Sequence, residues 1–224
     1  MPAPLPARPR IAVLISGRGS NMASLLAAAQ APGFPAQIAL VAANRPEAAG
    51  LAHARAAGLA TEALDHEAYP DRAAFDRALD AALRRHGIDL VVLAGFMRVL
   101  TPGFVEAWAG RMLNIHPSLL PLFRGTRTHA QALAAGVRLH GCTVHFVVPE
   151  LDAGPIVAQA AVPVLPQDDV QTLSARVLVQ EHRLYPAAVA LVASGRAVLD
   201  GDRVVFGPGA GLAEGALVAP ALAP

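Results

Sequence analysis

The stretch that decides the fold spans residues 11–21 and reads IAVLISGRGSN. Its first five residues form a short apolar run, which is typical of a parallel strand buried on both faces. Gly17 and Gly19 then permit a tight turn, and a helical pattern of apolar residues follows over about 22–30. The stretch therefore predicts a strand, a glycine turn and a helix, which together form the first unit of an α/β sheet.

The same alternation continues along the N-terminal half. Apolar runs predict strands over 37–42, 60–64 and 89–94, and helical patterns lie at 46–57 and 71–86. The second half predicts strands over 112–116, 144–148 and 156–162, then a long helix over 168–194 interrupted near Pro186. Since parallel strands need crossover connections, we expect an α/β fold: a single-domain, Rossmann-like, doubly wound, mostly parallel sheet with helices on both faces.

The length of 224 residues suits one large domain. We expect a flexible lead-in over residues 1–9, the domain over 10–200 and a mobile tail over 207–224, where Gly, Ala, Pro, Leu and Val follow no period. The sequence leaves the oligomeric state open between a monomer and a homodimer.

Composition excludes several classes of protein. Hydrophobic residues make up 54% of the chain and charged residues 16%, which is too apolar for a disordered chain. No apolar run approaches the roughly 18 to 20 residues that cross a bilayer, and the N-terminus lacks a secretory signal. The single cysteine, Cys142, cannot form an intrachain disulfide. We therefore expect a cytoplasmic protein with no membrane partner.

Charge points to a small-molecule ligand. The net charge is +1 and no basic run occurs, so the sequence predicts no nucleic-acid partner. All 18 Lys and Arg positions are arginine. The absence of lysine excludes Walker-type phosphate loops, pyridoxal Schiff bases and lysine general bases.

The glycine turn is a candidate phosphate site, because backbone N–H groups at a helix start present partial positive charge. A dinucleotide fingerprint would need a third glycine in place of Met22 and an acidic residue in place of Asn44 or Arg45. The pattern therefore disfavours nicotinamide and flavin dinucleotides. The alternative is a tight turn in which Ser20 or Asn21 merely caps the helix.

The tetrapeptide NIHP at 114–117 is a candidate catalytic motif. In an extended strand Asn114 and His116 share one face, and Pro117 ends the strand where clefts of α/β sheets lie. An amide and a protonated imidazole side by side can stabilise an oxyanion. The alternative is a structural histidine beside a proline.

A turn-rich loop at 150–155 carries Glu150 and Asp152. A carboxylate that reached His116 would orient the imidazole, favour its protonated form and help to remove a proton. Spacing alone does not establish that contact, and a solvated acidic loop is the alternative. His145 either faces the same cleft as His116 or packs within its strand; with one cysteine and no zinc spacing, we expect no metal.

Six motifs, in this order, carry a family resemblance. They are ISGRGSN at 15–21, LAGFMR at 93–98, NIHPSLLP at 114–121, HGCTVHF at 140–146, ELDAGP at 150–155 and QEH at 180–182. Over about residues 11–199 the chain closely resembles the bacterial phosphoribosylglycinamide formyltransferases, which are folate-dependent enzymes of purine synthesis.

The resemblance implies a one-carbon transferase that moves the formyl group of its co-substrate 10-formyltetrahydrofolate to the amine of glycinamide ribonucleotide, with no metal. It implies that the N-terminal half binds the ribonucleotide phosphate and that the C-terminal half binds folate and catalyses. The implied catalytic residues are Asn114, His116 and Asp152. The implied ribonucleotide-binding residues are Gly19, Ser20, Asn21, Arg72 and Glu181. The implied folate-binding residues are Met97, Arg98, Leu100, Val147, Val148 and Leu151.

One position departs from the family pattern. Leu178, one turn before Glu181, stands where relatives often carry a polar or basic residue. Arg18 or Arg176 is the candidate replacement for a phosphate contact at that position.

Two other functions stay open at this point. The first is a sibling enzyme, formyltetrahydrofolate hydrolase or methionyl-tRNA formyltransferase, although we expect 224 residues to leave no room for their additional domains. The second is a catalytically silent nucleotide-binding module, because a fold does not establish an activity. The intact set of Asn114, His116 and Asp152 argues against the silent module.

Overall fold

The computed structural model describes residues 4–208, so the predicted tail lies almost wholly outside the described residues. The sheet strands are β1 (Arg10–Ile15), β2 (Gln37–Ala43), β3 (Thr61–Ala63), β4 (Leu90–Leu93), β5 (Met112–His116), β6 (Leu139–Phe146) and β7 (Ile156–Pro163). The helices are α1 (Ser20–Ala29), α2 (Ala49–Ala56), α3 (Arg72–Arg85), α4 (Pro102–Ala107), α5 (Thr128–Ala134) and α6 (Val170–Ala193), with a 3-10 turn at His66–Ala68. A separate hairpin follows, formed by β8 (Ala197–Asp200) and β9 (Arg203–Phe206).

The seven sheet strands are arranged in the order β3-β2-β1-β4-β5-β6-β7. The five strands from β3 to β5 are parallel, whereas β6 and β7 pair antiparallel. This topology confirms the predicted doubly wound, mostly parallel sheet with helices on both faces.

Both faces of the sheet are buried, and β1 shows how. Val13 and Ile15 belong to the core packed under α1, α2 and α6, whereas Ala12 and Leu14 belong to the core under α3 and α4. Successive side chains of a strand point to opposite faces, so a continuous apolar run fills both cores. That is why the sequence of β1 carries no polar alternation.

The predicted interruption of the last helix is wrong. Helix α6 runs for 24 residues without a break and contains Pro186, which is buried. A capping box between Asp169 and Thr172 starts the helix. Packing of its apolar face against the sheet offsets the hydrogen bond that Pro186 cannot donate.

The predicted start of β6 is also wrong, because the strand begins at Leu139 rather than at residue 144. Gly141 pairs with Ala161 in β7, and a Cβ there would collide with the Ala160 carbonyl group. The absence of a side chain at Gly141 is therefore what lets the two strands approach each other. The short helices α4 and α5 were not predicted, because six or seven residues show too little periodicity.

Tyr185 of α6 ties the helix to the centre of the sheet. Its buried hydroxyl group donates to the Leu93 carbonyl oxygen at 2.8 Å, and the Leu113 carbonyl oxygen is 3.3 Å away.

We predict that Tyr185→Phe lowers the free energy of unfolding by about 1 to 2 kcal/mol, because two buried acceptors lose a donor. Urea unfolding followed by circular dichroism measures the change. Tyr69→Phe is the control, since that tyrosine is only half-buried; an equal loss in both variants would contradict the assigned role.

Candidate active site

Two adjoining cavities lie where the parallel strands end. The first, here called the strand-end cavity, has a volume of about 470 Å³ and is lined from β5, α6 and the loops after β4, β5 and β6. The second, called the turn cavity, has about 440 Å³ and surrounds the glycine turn between β1 and α1. Asn21, Gly95 and Met97 line both cavities, so the two form one connected region. Ligand sites of open α/β sheets are expected at this edge.

Asn114 and His116 both line the strand-end cavity, as the alternation of β5 predicts. Leu113, which precedes Asn114, and Ile115, which lies between Asn114 and His116, belong to the core on the other face of the sheet. The loop after β6 brings Asp152 to the same cavity. The structure thus brings together the three residues that the sequence singled out for catalysis.

Asp152 contacts His116, which spacing alone left open. Its Oδ2 atom lies 3.4 Å from His116 Nδ1, and the two side chains are 9% and 5% exposed. The backbone N–H of Gly125 donates to the same Oδ2 atom at 2.8 Å. Asp152 itself has a left-handed φ of 50°. Asp152 is therefore folded onto the histidine, whereas Glu150 in the same loop is exposed and pairs with Arg124.

The second nitrogen of His116 also faces an oxygen atom. His116 Nε2 lies 2.9 Å from the carbonyl oxygen of Phe123. Because the carboxylate and the carbonyl group can only accept, the imidazole satisfies both of them only when both of its nitrogens carry protons. The surroundings of His116 therefore offer hydrogen-bond acceptors to both of its ring nitrogens.

His145 lines the same cavity, as one of the two sequence hypotheses held, and it contacts Asn114. Its Nδ1 atom lies 2.9 Å from the Phe146 carbonyl oxygen, and its Nε2 atom lies 3.2 Å from Asn114 Nδ2. Burial lowers the pKa of His145, which favours the neutral ring. Neutral His145 then donates from Nδ1 and accepts one Asn114 N–H at Nε2. The second amide proton of Asn114 is left for a ligand.

The glycine turn is not capped by a side chain, so the capping alternative is wrong. Gly19 occupies the cap position with a left-handed φ of 73°, and no side-chain cap bonds to the first-turn N–H groups of α1. Asn21 instead donates from Nδ2 to Glu181 Oε2 at 2.6 Å. Burial raises the pKa of Glu181. The first-turn N–H groups of α1 have no intrahelical partners and are available to an anion.

The six residues implied for folate binding all line the strand-end cavity: Met97, Arg98, Leu100, Val147, Val148 and Leu151. Met97 and Leu151 are 69% and 55% exposed, so apolar side chains stand at the cavity mouth. The guanidinium group of Arg98 lies over the Phe75 ring, 4.5 Å from its centroid.

Among the residues implied for the ribonucleotide, the structure brings Gly19, Ser20 and Asn21 to the turn cavity and Glu181 to the strand-end cavity. Arg72 is not brought with them: it is exposed at the start of α3 and lines neither cavity. Its role stays a prediction that the cavity linings do not support.

Arg176 does not replace the missing polar residue at Leu178. Its guanidinium group binds both carboxylate oxygens of Asp168, at 2.6 and 2.8 Å, and the Pro163 carbonyl oxygen at 2.9 Å. Arg45, by contrast, lines the turn cavity, although the sequence offered it only as a reason against dinucleotide binding. The sequence feature that could have identified Arg45 as a cavity residue is its position directly after β2, because neighbouring parallel strands end at the same edge of the sheet.

A pair of histidines, the fully buried His140 and the partly buried His129, packs behind the segment that contacts His116. His140 Nε2 lies 3.1 Å from His129 Nδ1, and the Phe123 ring packs edge-on against His140. Burial, with the nearby His129 and His116, lowers the pKa of His140 to about 4. Burial also lowers the pKa of His129.

The lowered pKa of His140 predicts that the stability of the fold depends on pH. As the pH falls below about 6.5, His140 becomes protonated in the unfolded chain but stays neutral in the folded chain. The free energy of unfolding therefore decreases as the pH falls from about 6.5 to about 4. One such group contributes a slope of up to about 1.4 kcal/mol per pH unit. We predict a shallower slope in His140→Gln than in the wild type, measured by urea unfolding from pH 7 to pH 4.5. His53→Gln removes an exposed histidine of α2 as the control; identical slopes in all three proteins would contradict the prediction.

Within residues 4–208 no group of three or more His, Cys, Asp or Glu side chains could hold a metal ion. Across the same residues, no helix combines the length and the apolar character that crossing a membrane requires.

A sequence model of a protein family, described as "Formyl transferase", matches residues 9–189. The phosphoribosylglycinamide formyltransferase of Escherichia coli K12 is 46% identical over 201 residues, which cover 87% of this chain and 95% of that protein. The human trifunctional purine biosynthetic protein adenosine-3 is 52% identical over 186 residues, which cover 83% of this chain. The match covers only 18% of that much longer human protein.

Solved structures share the fold as well. The glycinamide ribonucleotide transformylase 1 of Symbiobacterium toebii has a TM-score of 0.87 and 48% identity, covering 89% of this chain and 94% of that one. A formyltetrahydrofolate deformylase of Pseudomonas syringae has a TM-score of 0.82 at 26% identity, covering 89% of this chain and 66% of that one.

Proposed function

Because this chain belongs to the formyl transferase family, we propose that it transfers a formyl group from 10-formyltetrahydrofolate to the primary amine of glycinamide ribonucleotide. The products are N-formylglycinamide ribonucleotide and tetrahydrofolate, as in purine biosynthesis. One observation carries the proposal: Asn114, His116 and Asp152 converge on a single cavity at the ends of the parallel strands. A location in the cytosol stays a prediction.

In this proposal each of the two cavities binds a different substrate. The strand-end cavity has an apolar wall formed by Leu100, Val147 and Leu151, and this wall suits the flat ring of a folate. The turn cavity presents the first-turn N–H groups of α1 and suits a phosphate. Asn21 lines both cavities, so a ribonucleotide bound at the turn would reach the catalytic residues.

The bound folate supplies the formyl group, and the protein stabilises the charge that develops during transfer. When the substrate amine attacks, negative charge grows on the formyl oxygen. Asn114 would donate its free amide proton to that oxygen, and protonated His116 would donate to it as well. Since both His116 nitrogens already have partners, one contact, such as that to the Phe123 carbonyl oxygen, must be exchanged for the substrate.

Asp152 has two tasks in this arrangement. Its carboxylate contacts His116 Nδ1 and orients the ring, and its position at the cavity allows it to help remove a proton from the attacking amine. The Gly125 N–H group holds the carboxylate in place while it does so. Asn114 and His116 therefore act on the oxygen of the formyl group. The bond from the formyl carbon to the folate nitrogen then breaks, and one proton leaves the amine while one reaches that nitrogen, with Asp152 acting on these protons.

We predict that Asn114→Ala and His116→Ala each lower kcat by about 100- to 1000-fold, because each removes one donor to the developing oxyanion. Formyl transfer is followed by folate absorbance, with melting temperatures as the control for folding. If the wild type produced no formylated ribonucleotide, the proposal would fail. Folate product formed at the same rate without the ribonucleotide would indicate a hydrolase instead.

A separate prediction concerns His145, which positions Asn114. Replacing His145 by Leu removes the acceptor at Nε2 and lets the Asn114 amide turn away, which should lower kcat by about 10- to 100-fold with little change in KM. His145→Gln offers an amide oxygen as a new acceptor and should recover part of the loss. Equal activity of the Leu and Gln variants would count against a positioning role.

A further inference from the structure

The segment between β4 and α4, here called the β4–α4 loop (residues 94–101), forms a large part of the strand-end cavity. Every residue from 95 to 100 lines that cavity. The middle of the loop is tied to the end of β1, because the Met97 N–H group donates to the Ser16 hydroxyl oxygen at 2.7 Å. The end of the loop lies outside the sheet and leads into α4. A different element therefore has to hold it.

Helix α3 holds the end of the loop through Asp76. The Oδ2 atom of Asp76 accepts the Thr101 N–H group at 2.7 Å. Thr101 is the N-cap residue of α4, where its side chain accepts the Phe104 N–H group. Leu100, the residue before Thr101, belongs to the apolar wall of the strand-end cavity. The contact with Asp76 therefore fixes the point at which the cavity wall ends and α4 begins.

A second contact joins the loop to the same turn of α3. The guanidinium carbon of Arg98 lies 4.5 Å from the centroid of the Phe75 ring, and Phe75 immediately precedes Asp76. A cation over an aromatic face is attracted by the negative charge of that face. Two residues of the β4–α4 loop thus contact two consecutive residues of α3, and both contacts identify α3 as the element that positions this part of the cavity wall.

Asp76 is a costly residue at this position. It is 3% exposed, and its Oδ1 atom has no hydrogen-bond partner among residues 4–208. Burial of a carboxyl group with a single donor lowers stability, and an apolar side chain would pack there without that cost. Residues that break a local rule of this kind are expected beside functional sites. The bond to Thr101 is therefore what distinguishes Asp76 from an apolar residue on this face of α3.

Asp80, one turn further along α3, provides a comparison. It accepts the Trp108 Nε1–H group at 2.9 Å, and Trp108 directly follows the last residue of α4. Helix α3 therefore presents one carboxyl group to the start of α4 and another to its end. Neither aspartate lines either cavity. The difference between them is that Asp76 bonds to the β4–α4 loop, whereas Asp80 bonds to a residue beyond α4.

We propose that Asp76 is a positioning residue for the folate-binding wall: it holds the β4–α4 loop in place through Thr101 and thereby sets the affinity of this chain for the formyl-folate co-substrate. The inference rests on the proposed function. A loop that is fixed before the ligand arrives loses less conformational entropy on binding. Because the wall meets the folate ring in the ground state and in the transition state alike, the effect falls on KM for the co-substrate and not on kcat.

The test uses Asp76→Ala, which removes the acceptor, and Asp76→Asn, which keeps an amide oxygen on a side chain of the same length. Asp80→Ala is the matched control, because it removes the other carboxyl group that α3 presents to α4. We expect Asp76→Ala to raise KM for 10-formyltetrahydrofolate by about 3- to 30-fold, with KM for the ribonucleotide within about twofold and kcat within about threefold. Asp76→Asn and Asp80→Ala should stay within about twofold of the wild type in all three constants.

Two outcomes would overturn the inference. One is an unchanged KM for the co-substrate in folded Asp76→Ala. The other is an equal rise of that KM in Asp80→Ala, which would show a general effect of loosening α4. If Asp76→Ala did not fold, Asp76→Glu would take its place, because one added methylene group displaces the acceptor and pushes the Thr101 N–H group outward. We then expect a rise of about 3- to 10-fold in that KM, and an unchanged value would again overturn the inference.

Binding of tetrahydrofolate alone separates this inference from the proposed function. Calorimetric titration gives its Kd without any transfer, and we expect the Kd to rise in Asp76→Ala by the same factor as KM and to stay unchanged in Asp80→Ala. If the wild type showed this dependence on Asp76 but transferred no formyl group to the ribonucleotide, the proposed function would fail and the inference would stand. If transfer proceeded and the Kd were equal in all variants, the proposed function would stand and the inference would fail.

Discussion

Parallel pairing of β1 with β2 and β4, and of β4 with β5, is the constraint on which the rest of the structure depends. It brings the carboxyl ends of these strands to one edge of the sheet, so the loops that leave them must share that edge. The glycine turn follows β1, Arg45 follows β2, residues 94–98 follow β4, and His116 ends β5. Two connected cavities result from this single arrangement.

The change from parallel to antiparallel pairing completes the site. Strand β6 returns beside β5 in a register that places His145 opposite Asn114, which gives the amide its acceptor. The chain then leaves β6 and folds back closely at Gly154, where a Cβ would collide with the Phe146 carbonyl group. This close approach lets the same loop carry Asp152 to His116. One strand and its following loop therefore supply both partners of the catalytic pair on β5.

Burial and charge give the histidines different tasks. His116 lies beside a carboxylate and a carbonyl oxygen, which can only accept hydrogen bonds, whereas burial lowers the pKa of His140 and His145 and favours their neutral rings. Neutral rings accept hydrogen bonds and support their neighbours; a protonated ring donates to developing negative charge. The different environments of these histidines thus give chemically identical side chains different roles.

Local backbone geometry explains what the sequence by itself determined. Apolar runs predicted β1, β2, β5 and β7 to within about two residues, and strand alternation placed Asn114 and His116 on one face, because both depend on the nearest covalent neighbours. The ordered motifs also predicted the formyl transferase family. Only the tertiary structure decided the contact of Asp152 with His116, the role of Gly141 inside β6, the unbroken path of α6 through Pro186 and the pairing of Arg176 with Asp168. These features depend on which distant segments pack together, and local propensity carries no information about such contacts.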